Sequence, residues 1–201
     1  MILAGEGVGA SSDREVIVSS WAQSECFEAV FDRHATTIYR YLRRRVGAAL
    51  AEDLLAETFA QAFNARTRFE PRGDSALPWL YGIAANLLRM HRRAEERRLR
   101  AYARAAQRGS EPSASADSDR RLDAAALGPA LAEALAGLPP GQREVLLLHA
   151  WAGLSHEEIA AALEISAGTV RSRLHRGRAQ VAERLSHSGN EADDDSMAAR
   201  R

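Results

Sequence analysis

The chain has 201 residues, enough for one or two small domains; 46% of them are hydrophobic and only 6% are aromatic. Ala and Leu are abundant and runs rich in Val, Ile or Thr are few, so the composition favours helices over strands. The formal net charge of zero excludes a whole-molecule field that attracts nucleic acid or an anionic membrane, so any nucleic-acid surface must be local.

The remaining composition excludes several kinds of site. A single cysteine, Cys26, excludes an internal disulfide, and no Cys/His cluster has metal-ligand spacing, so we expect neither a metal site nor a cofactor. An apolar run of about 18 residues is absent, as is an N-terminal basic stretch followed by an apolar one. We therefore expect a cytoplasmic protein without membrane insertion.

The first half of the chain predicts one helical domain, residues 25–106. Residues 1–24 have weak periodicity and are expected to form a mobile extension, although four apolar residues there could dock: Val16, Ile17, Val18 and Trp21. Apolar residues then recur at helical spacing from Glu25 to about Gly47, and again over 51–65.

A loop over 68–75 precedes the longest predicted helix, because Pro71 and Gly73 interrupt the periodicity. That helix spans about 77–104. Its expected buried face comprises Trp79, Leu80, Ile83, Leu87, Met90 and Ala94. Trp79 is expected in the core and Tyr81 to point outward.

Residues 107–121 are predicted to be a flexible linker. Between 109 and 118 no apolar residue is larger than Ala, so ordering would recover little free energy. A second helical domain is predicted over 122–186, with a restart at Pro140 and a helix end near Gly153. The acidic residues 187–201 are expected to be a disordered, solvated tail.

The second domain contains a predicted helix-turn-helix. Ser155 and Glu158 have the spacing of a capping box, which opens a short helix ending at Leu163. A three-residue turn and a helix to about Leu185 follow, the layout of this DNA-binding motif. Glu164 occupies a turn position that tends to have positive φ, at a cost of roughly 1 kcal/mol.

The last helix has a polar face suited to the DNA major groove. Val170 and Leu174 lie on its buried stripe, so Ser172 and Arg176 point away, with Thr169 and His175 beside them, as candidate base readers. Candidate phosphate contacts flank that face: Arg171, Arg173 and Arg178. The alternative is a solvated helix in an ordinary helical core.

Two further polar surfaces lie in the first domain. The second helix carries a polar stripe opposite its apolar face, composed of Asp53, Glu57, Gln61 and Asn64, which an Arg-rich partner would neutralise; a merely solvated face is the alternative. On the long helix Asn86, Arg89 and Arg93 share one edge, and Gly82 has no side chain to block an approaching backbone or base.

Four segments in one order resemble the extracytoplasmic-function class of bacterial sigma factors, over about 25–106 and 122–186. They are AEDLLAETF (51–59), PWLYGIAAN (78–86), LPPGQREV (138–145), and GLSHEEIA (153–160) with GTVRSRL (168–174). The resemblance implies a protein that lends promoter recognition to RNA polymerase, in a stress or signal response, and is not itself an enzyme.

The resemblance also implies a role for each surface. The first domain would bind the coiled coil on the clamp of the largest subunit of core RNA polymerase through the stripe on the second helix. The same domain would recognise and melt the minus-ten element, with an unpaired base held in the loop 69–75. Implied contacts there are Arg72, Asp74, Ser75, Asn86, Arg89 and Arg93. The second domain would read the minus-thirty-five element, and an anti-sigma factor is a further implied partner.

Two other classes compete with this interpretation. A regulator with a helix-turn-helix would bind an operator without polymerase, but residues 25–106 carry no pattern of a signal-binding or phosphoacceptor domain. A small helical hydrolase requires a nucleophile or paired carboxylates near a base, and no such set stands out.

Overall fold

The computed structural model describes residues 11–70, 74–106 and 128–198, which form eight α-helices and no strand. The predicted all-α class is confirmed. The helices are α1 Asp13–Ser19, α2 Glu28–Val46, α3 Ala48–Ala65, α4 Leu77–Ala106, α5 Pro129–Ala136, α6 Pro140–Ala152, α7 His156–Leu163 and α8 Ala167–Ala198. The segment 107–127, with the predicted linker, lies outside the described residues.

Residues 11–24 of the expected N-terminal extension are described and contain a docked helix, α1, whereas residues 1–10 lie outside the described residues. Ser12 and Glu15 form a complete capping box at the start of α1. Val16 and Ile17 are buried in the core of the first half, whereas Trp21 is half exposed and donates its indole N–H to the Arg66 carbonyl. Apolar burial and a satisfied helix start therefore hold this segment.

Helices α2, α3 and α4 share the predicted core, but the buried face of α4 is rotated from its expected position. Met90 is 55% exposed and Ala94 is exposed, whereas Tyr81 is only 2% exposed and packs edge-on against Tyr41. The outward position predicted for Tyr81 is wrong. The reason is that the second half of the chain also packs on α4, and Leu88 joins the buried set.

The second half follows the predicted helix-turn-helix closely. The Ser155–Glu158 capping box opens α7, and Glu164 adopts the left-handed conformation with φ 53°. Helix α8 runs to Ala198, past its predicted end near Leu185, and residues 199–201 of the expected tail lie outside the described residues. No proline follows Pro140 in the sequence, and each added residue extends the helix by one backbone hydrogen bond.

The two halves pack against each other. A single apolar cluster contains Leu80 and Leu88 of α4 together with Leu148 of α6 and Ile159 of α7. Helices α4 and α7 are in direct contact, with Gly82 facing the backbone of Ala162. None of the helices in the described part of the chain has the length and apolarity needed to cross a membrane.

Candidate nucleic-acid interface

Helix α8 presents the predicted polar face. Val170 and Leu174 are buried beneath the helix, and Ser172 and Arg176 are exposed on the opposite side. The Arg176 guanidinium donates to the Ser172 hydroxyl at 2.9 Å (Nη2 to Oγ), one helical turn away. This bond holds the fork of donors along the exposed face, where it can meet the edge of a base.

Of the residues beside this face, three are exposed and one also takes part in the cap of the helix. Arg171, His175 and Arg178 are exposed, as a contact to phosphates or bases requires. Thr169 is half-buried at the helix start, where its backbone N–H donates to the Ser166 hydroxyl at 3.1 Å and the two hydroxyls lie 2.9 Å apart. Thr169 therefore belongs to the cap of α8 as well as to its polar face.

Arg173 does not lie on the free surface of α8. Its side chain is half-buried against Gly141 and lines a cleft of about 360 Å³ between the two halves of the chain. Arg89 and Arg93 of α4 line the same cleft. The structure thus brings one predicted upstream contact next to two predicted minus-ten contacts.

The edge of α4 is arranged as predicted. Asn86, Arg89 and Arg93 are all exposed, and the Arg89 guanidinium donates to the Asn86 side-chain carbonyl at 2.8 Å. In the preceding loop Asp74 and Ser75 are exposed, and the Ser75 hydroxyl accepts from the N–H of Leu77 at the start of α4. Arg72 lies outside the described residues.

A buried carboxylate anchors this loop. Asp13 accepts from the Ala76 N–H at 2.8 Å and from Arg33 at 3.0 Å, and it lies 2.5 Å from the His34 ring. Its own N–H donates to the Asp74 carbonyl. Burial would raise the pKa of Asp13, but the Ala76 N–H and the Arg33 and His34 side chains outweigh it and hold that pKa below its usual value. Sequence reasoning missed this residue, although the Ser12–Glu15 capping box marked a helix there.

The polar stripe of α3 lies on the surface. Asp53, Glu57 and Asn64 are exposed, and half-buried Gln61 donates to the Glu57 carboxylate at 2.7 Å. The opposite side of α3 is buried and includes Phe59 and Ala62. These side chains are open to a partner in the observed arrangement of the two halves.

A second cluster that sequence reasoning missed joins the two halves. Arg45 forms two hydrogen bonds to the Glu144 carboxylate, at 3.1 Å and 2.7 Å, and the Tyr41 hydroxyl donates to the same carboxylate. Burial would raise the pKa of Glu144, but the Arg45 charge and the Arg45 and Tyr41 hydrogen bonds outweigh it and lower that pKa. The partners are 99 residues apart in sequence, so no local pattern reveals them.

Two family models match the chain: Sigma-70 region 2 over residues 30–98 and Sigma-70, region 4 over residues 129–181. The first match covers α2 to the middle of α4, and the second covers α5 to the middle of α8. The polar stripe of α3 and the Arg-bearing edge of α4 lie in the region 2 match. The polar face of α8 lies in the region 4 match.

Curated relatives span most of the chain. The RNA polymerase sigma factor CarQ of Myxococcus xanthus is 40% identical over 163 residues, which is 80% of this chain and 90% of CarQ. The ECF RNA polymerase sigma factor SigL of Mycobacterium tuberculosis is 34% identical over 158 residues, 77% of this chain and 85% of SigL.

A solved structure has the same fold. CnrH, in complex with the cytosolic domain of CnrY, matches with a TM-score of 0.60 and 25% identity over 87% of this chain and 97% of CnrH. The order of the two matched regions, the identity to CarQ and SigL and the helical fold agree with one another. The chain therefore belongs to the extracytoplasmic-function family of RNA polymerase sigma factors.

Proposed function

We propose that this chain binds core RNA polymerase and directs it to promoters through two separate DNA contacts. The observation that carries the proposal is the placement of Ser172 and Arg176 on the exposed face of α8, above buried Val170 and Leu174, within the part of the chain that matches region 4. One polar face over an apolar base is the arrangement that a recognition helix needs to read bases in the major groove.

Each polar surface has its own role in this proposal. The stripe of Asp53, Glu57, Gln61 and Asn64 docks on the clamp coiled coil, because its exposed carboxylates suit a basic partner. The exposed edge of α4 and the loop before it contact the minus-ten element. Helix α8 contacts the minus-thirty-five element, with Arg171 and Arg178 at the phosphates.

Regulation by a protein partner is part of the same proposal. The family match supports an anti-sigma factor as that partner, and a protein of similar fold, the sigma factor RpoE, has been solved in complex with the anti-sigma factor NepR from Bartonella quintana. We propose that this chain, too, is held inactive by a partner of this class until a signal releases it.

Transcription with purified core polymerase on a library of genomic fragments tests the proposal. We expect new start sites that depend on the added chain and that share two upstream sequence elements. If the chain instead binds specific DNA by itself and leaves every start site unchanged, it is an operator-binding regulator and the proposal is wrong.

A further inference from the structure

Helix α1 is attached to the end of the loop that precedes α4. Asp13, the first residue of α1, donates its N–H to the Asp74 carbonyl at 3.1 Å and accepts from the Ala76 N–H at 2.8 Å. These two bonds fix the backbone on either side of Ser75. The side chains of Asp74 and Ser75 are exposed, so this part of the loop is held from the protein side while its side chains face solvent.

The other end of the same segment is attached to the start of the loop. The Trp21 indole N–H donates to the Arg66 carbonyl at 3.0 Å, and the Arg66 guanidinium donates to the Ser20 carbonyl at 3.2 Å (Nε to O). Arg66 directly follows the last residue of α3, and its guanidinium lies 3.8 Å from the centre of the Phe63 ring. Residues 12–21 therefore connect the two ends of the loop, and we call this segment the strut.

The strut is held rigidly between its two attachments. Val16 and Ile17 are buried in the core, and the buried Ser20 hydroxyl donates to the Ile17 carbonyl at 2.6 Å. Helix α1 has seven residues, which corresponds to about 10 Å at ~1.5 Å per residue. A helix that is packed along one side keeps the distance between its ends constant, because close-packed side chains leave it no room to shift.

Side chains of α2 fix the Asp13 end of the strut. Arg33 donates to the Asp13 carboxylate at 3.0 Å and to the Ser11 carbonyl at 2.9 Å, and His34 lies 2.5 Å from the second carboxylate oxygen. The Asp13 side chain is 7% exposed. Moving it would leave a buried carboxylate without these partners, which is costly.

The loop has a further attachment next to its start. Phe69 is buried, and its ring centre lies 4.7 Å from that of Trp79 on α4. A loop whose ends are fixed before a ligand arrives has less conformational freedom left to lose on binding. Fixed ends therefore favour tight and selective contacts by the exposed residues between them.

We propose that the strut is a positioning element for the minus-ten contact, which holds Asp74 and Ser75 in the orientation in which they select an unpaired base. The inference rests on the proposed function of the loop. Asp13 and Trp21 are positioning residues, because they act on the base through the loop backbone. They determine how well the base is selected and leave the affinity for core polymerase unchanged.

Two variants each release one end of the loop. Asp13→Ala removes the acceptor of the Ala76 N–H, whereas Trp21→Phe removes the indole donor and keeps an aromatic ring. Transcription with core polymerase on a library varied in the minus-ten element measures the base preference. Each variant should reduce the discrimination at one position by about two- to tenfold, the order of magnitude of one hydrogen bond. Asp13→Asn keeps a side-chain acceptor and should retain more of the preference than Asp13→Ala.

Two control variants separate positioning from a general loss of stability. Thr58→Ala removes a buried hydroxyl that donates to the Leu54 carbonyl within α3, so it destabilises the same domain. Val18→Ala changes an exposed residue of α1. Both should keep the wild-type minus-ten preference, and all variants should keep the wild-type preference at the minus-thirty-five element.

Hydrogen exchange of the free chain tests the strut without DNA. The Ala76 amide should exchange at least tenfold faster in Asp13→Ala than in wild type, while amides in the middle of α2 should not change. An unchanged Ala76 exchange rate, or an equal loss of base preference in Thr58→Ala, would overturn the proposal.

The transcription result separates this proposal from the one on which it rests. Promoter-specific initiation with an unchanged minus-ten preference in both strut variants would retain the proposed function and remove the positioning role. A wild-type chain that directs no start site with core polymerase would remove the proposed function, and the role of the strut in base selection with it.

Discussion

At the scale of single residues, Arg176 and Arg178 differ in what they can contribute. Both are exposed on α8, but Arg176 is held along the outward face by Ser172, whereas Arg178 lies on its flank. We expect Arg176→Ala to flatten the preference for one base pair of the upstream element by ~1–3 kcal/mol. Arg178→Ala should weaken binding to all sequences alike. It should also reduce the slope of log K against log salt concentration by about one.

A promoter-library selection with each variant beside wild type checks this division. Salt titration of the binding constant supplies the second readout. The rotational placement of α8 on DNA would be refuted by Arg176→Ala that keeps the upstream preference together with Arg178→Ala that shifts it.

Asp13 predicts a pH-dependent contribution to stability. Asp13→Ala removes the acceptor of the buried Ala76 N–H and of two basic side chains, so it should lower the free energy of unfolding by about 1–3 kcal/mol at pH 7. Because the folded-state pKa lies below the unfolded value, this contribution is complete above about pH 4 and is lost as the pH falls through the folded pKa.

Urea unfolding of both proteins between pH 7 and pH 3 measures this difference. Asp32→Ala is the control, since Asp32 is exposed on α2. A difference in the free energy of unfolding between wild type and Asp13→Ala that stays constant down to pH 3 would contradict the assigned role of the carboxylate.

At the scale of elements, the α3 stripe predicts the polymerase-binding behaviour. Reversing both Asp53 and Glu57 to Arg should weaken binding to core polymerase at moderate salt while helicity is retained, because both side chains are exposed. The matched control is the double reversal of Glu28 and Asp32, which have the same spacing and are exposed on α2. Equal affinities for the two double variants, measured by titration with labelled polymerase, would argue against the stripe.

The turn between α7 and α8 contains a strained residue whose relief can be measured. Glu164 has φ 53°, a conformation that costs an L-residue with a Cβ roughly 1 kcal/mol. Glu164→Gly should therefore raise the free energy of unfolding. Relief of the strained conformation contributes about 0.5–1 kcal/mol, and the greater freedom of glycine in the unfolded chain offsets part of this gain.

Thermal unfolding of Glu164→Gly and of the control Glu157→Gly tests whether Glu164 is strained. Glu157 lies inside α7 with helical geometry, so the same substitution should destabilise the protein there. Similar destabilisation at both positions would show that Glu164 is not strained.

At the scale of the whole molecule, the docked halves predict the result of cutting the chain between them. With a protease site inserted after Ser113, the two fragments should remain associated and elute together, because they share an apolar cluster and the Arg45–Glu144 pair. The same cut in Glu144→Ala should release them. Wild-type fragments that separate at once on a sizing column would mean that the covalent connection alone keeps the halves together.

Much of the fold depends on local sequence patterns, and these parts could be predicted. The capping box at Ser155, the left-handed Glu164 and the one-faced α8 each depend on residues within one or two helical turns. Tyr81 could not be placed from its own helix, because it packs against Tyr41, a residue of α2 that is distant in sequence. The pairing of Arg45 with Glu144 leaves no trace in periodicity for the same reason.

The anchoring of α1 has a consequence for where the N-terminal domain begins as a physical unit. The region 2 match starts at residue 30, yet Asp13 ties α1 to the backbone on both sides of Ser75, immediately before the long helix. A truncated protein starting at Glu25 would keep α2, α3 and α4, so circular dichroism would report a sound helical domain. The loop that we propose to bind an unpaired base would nevertheless have lost the contacts that Asp13 makes to it, so a boundary drawn by similarity alone would remove a support of that proposed site.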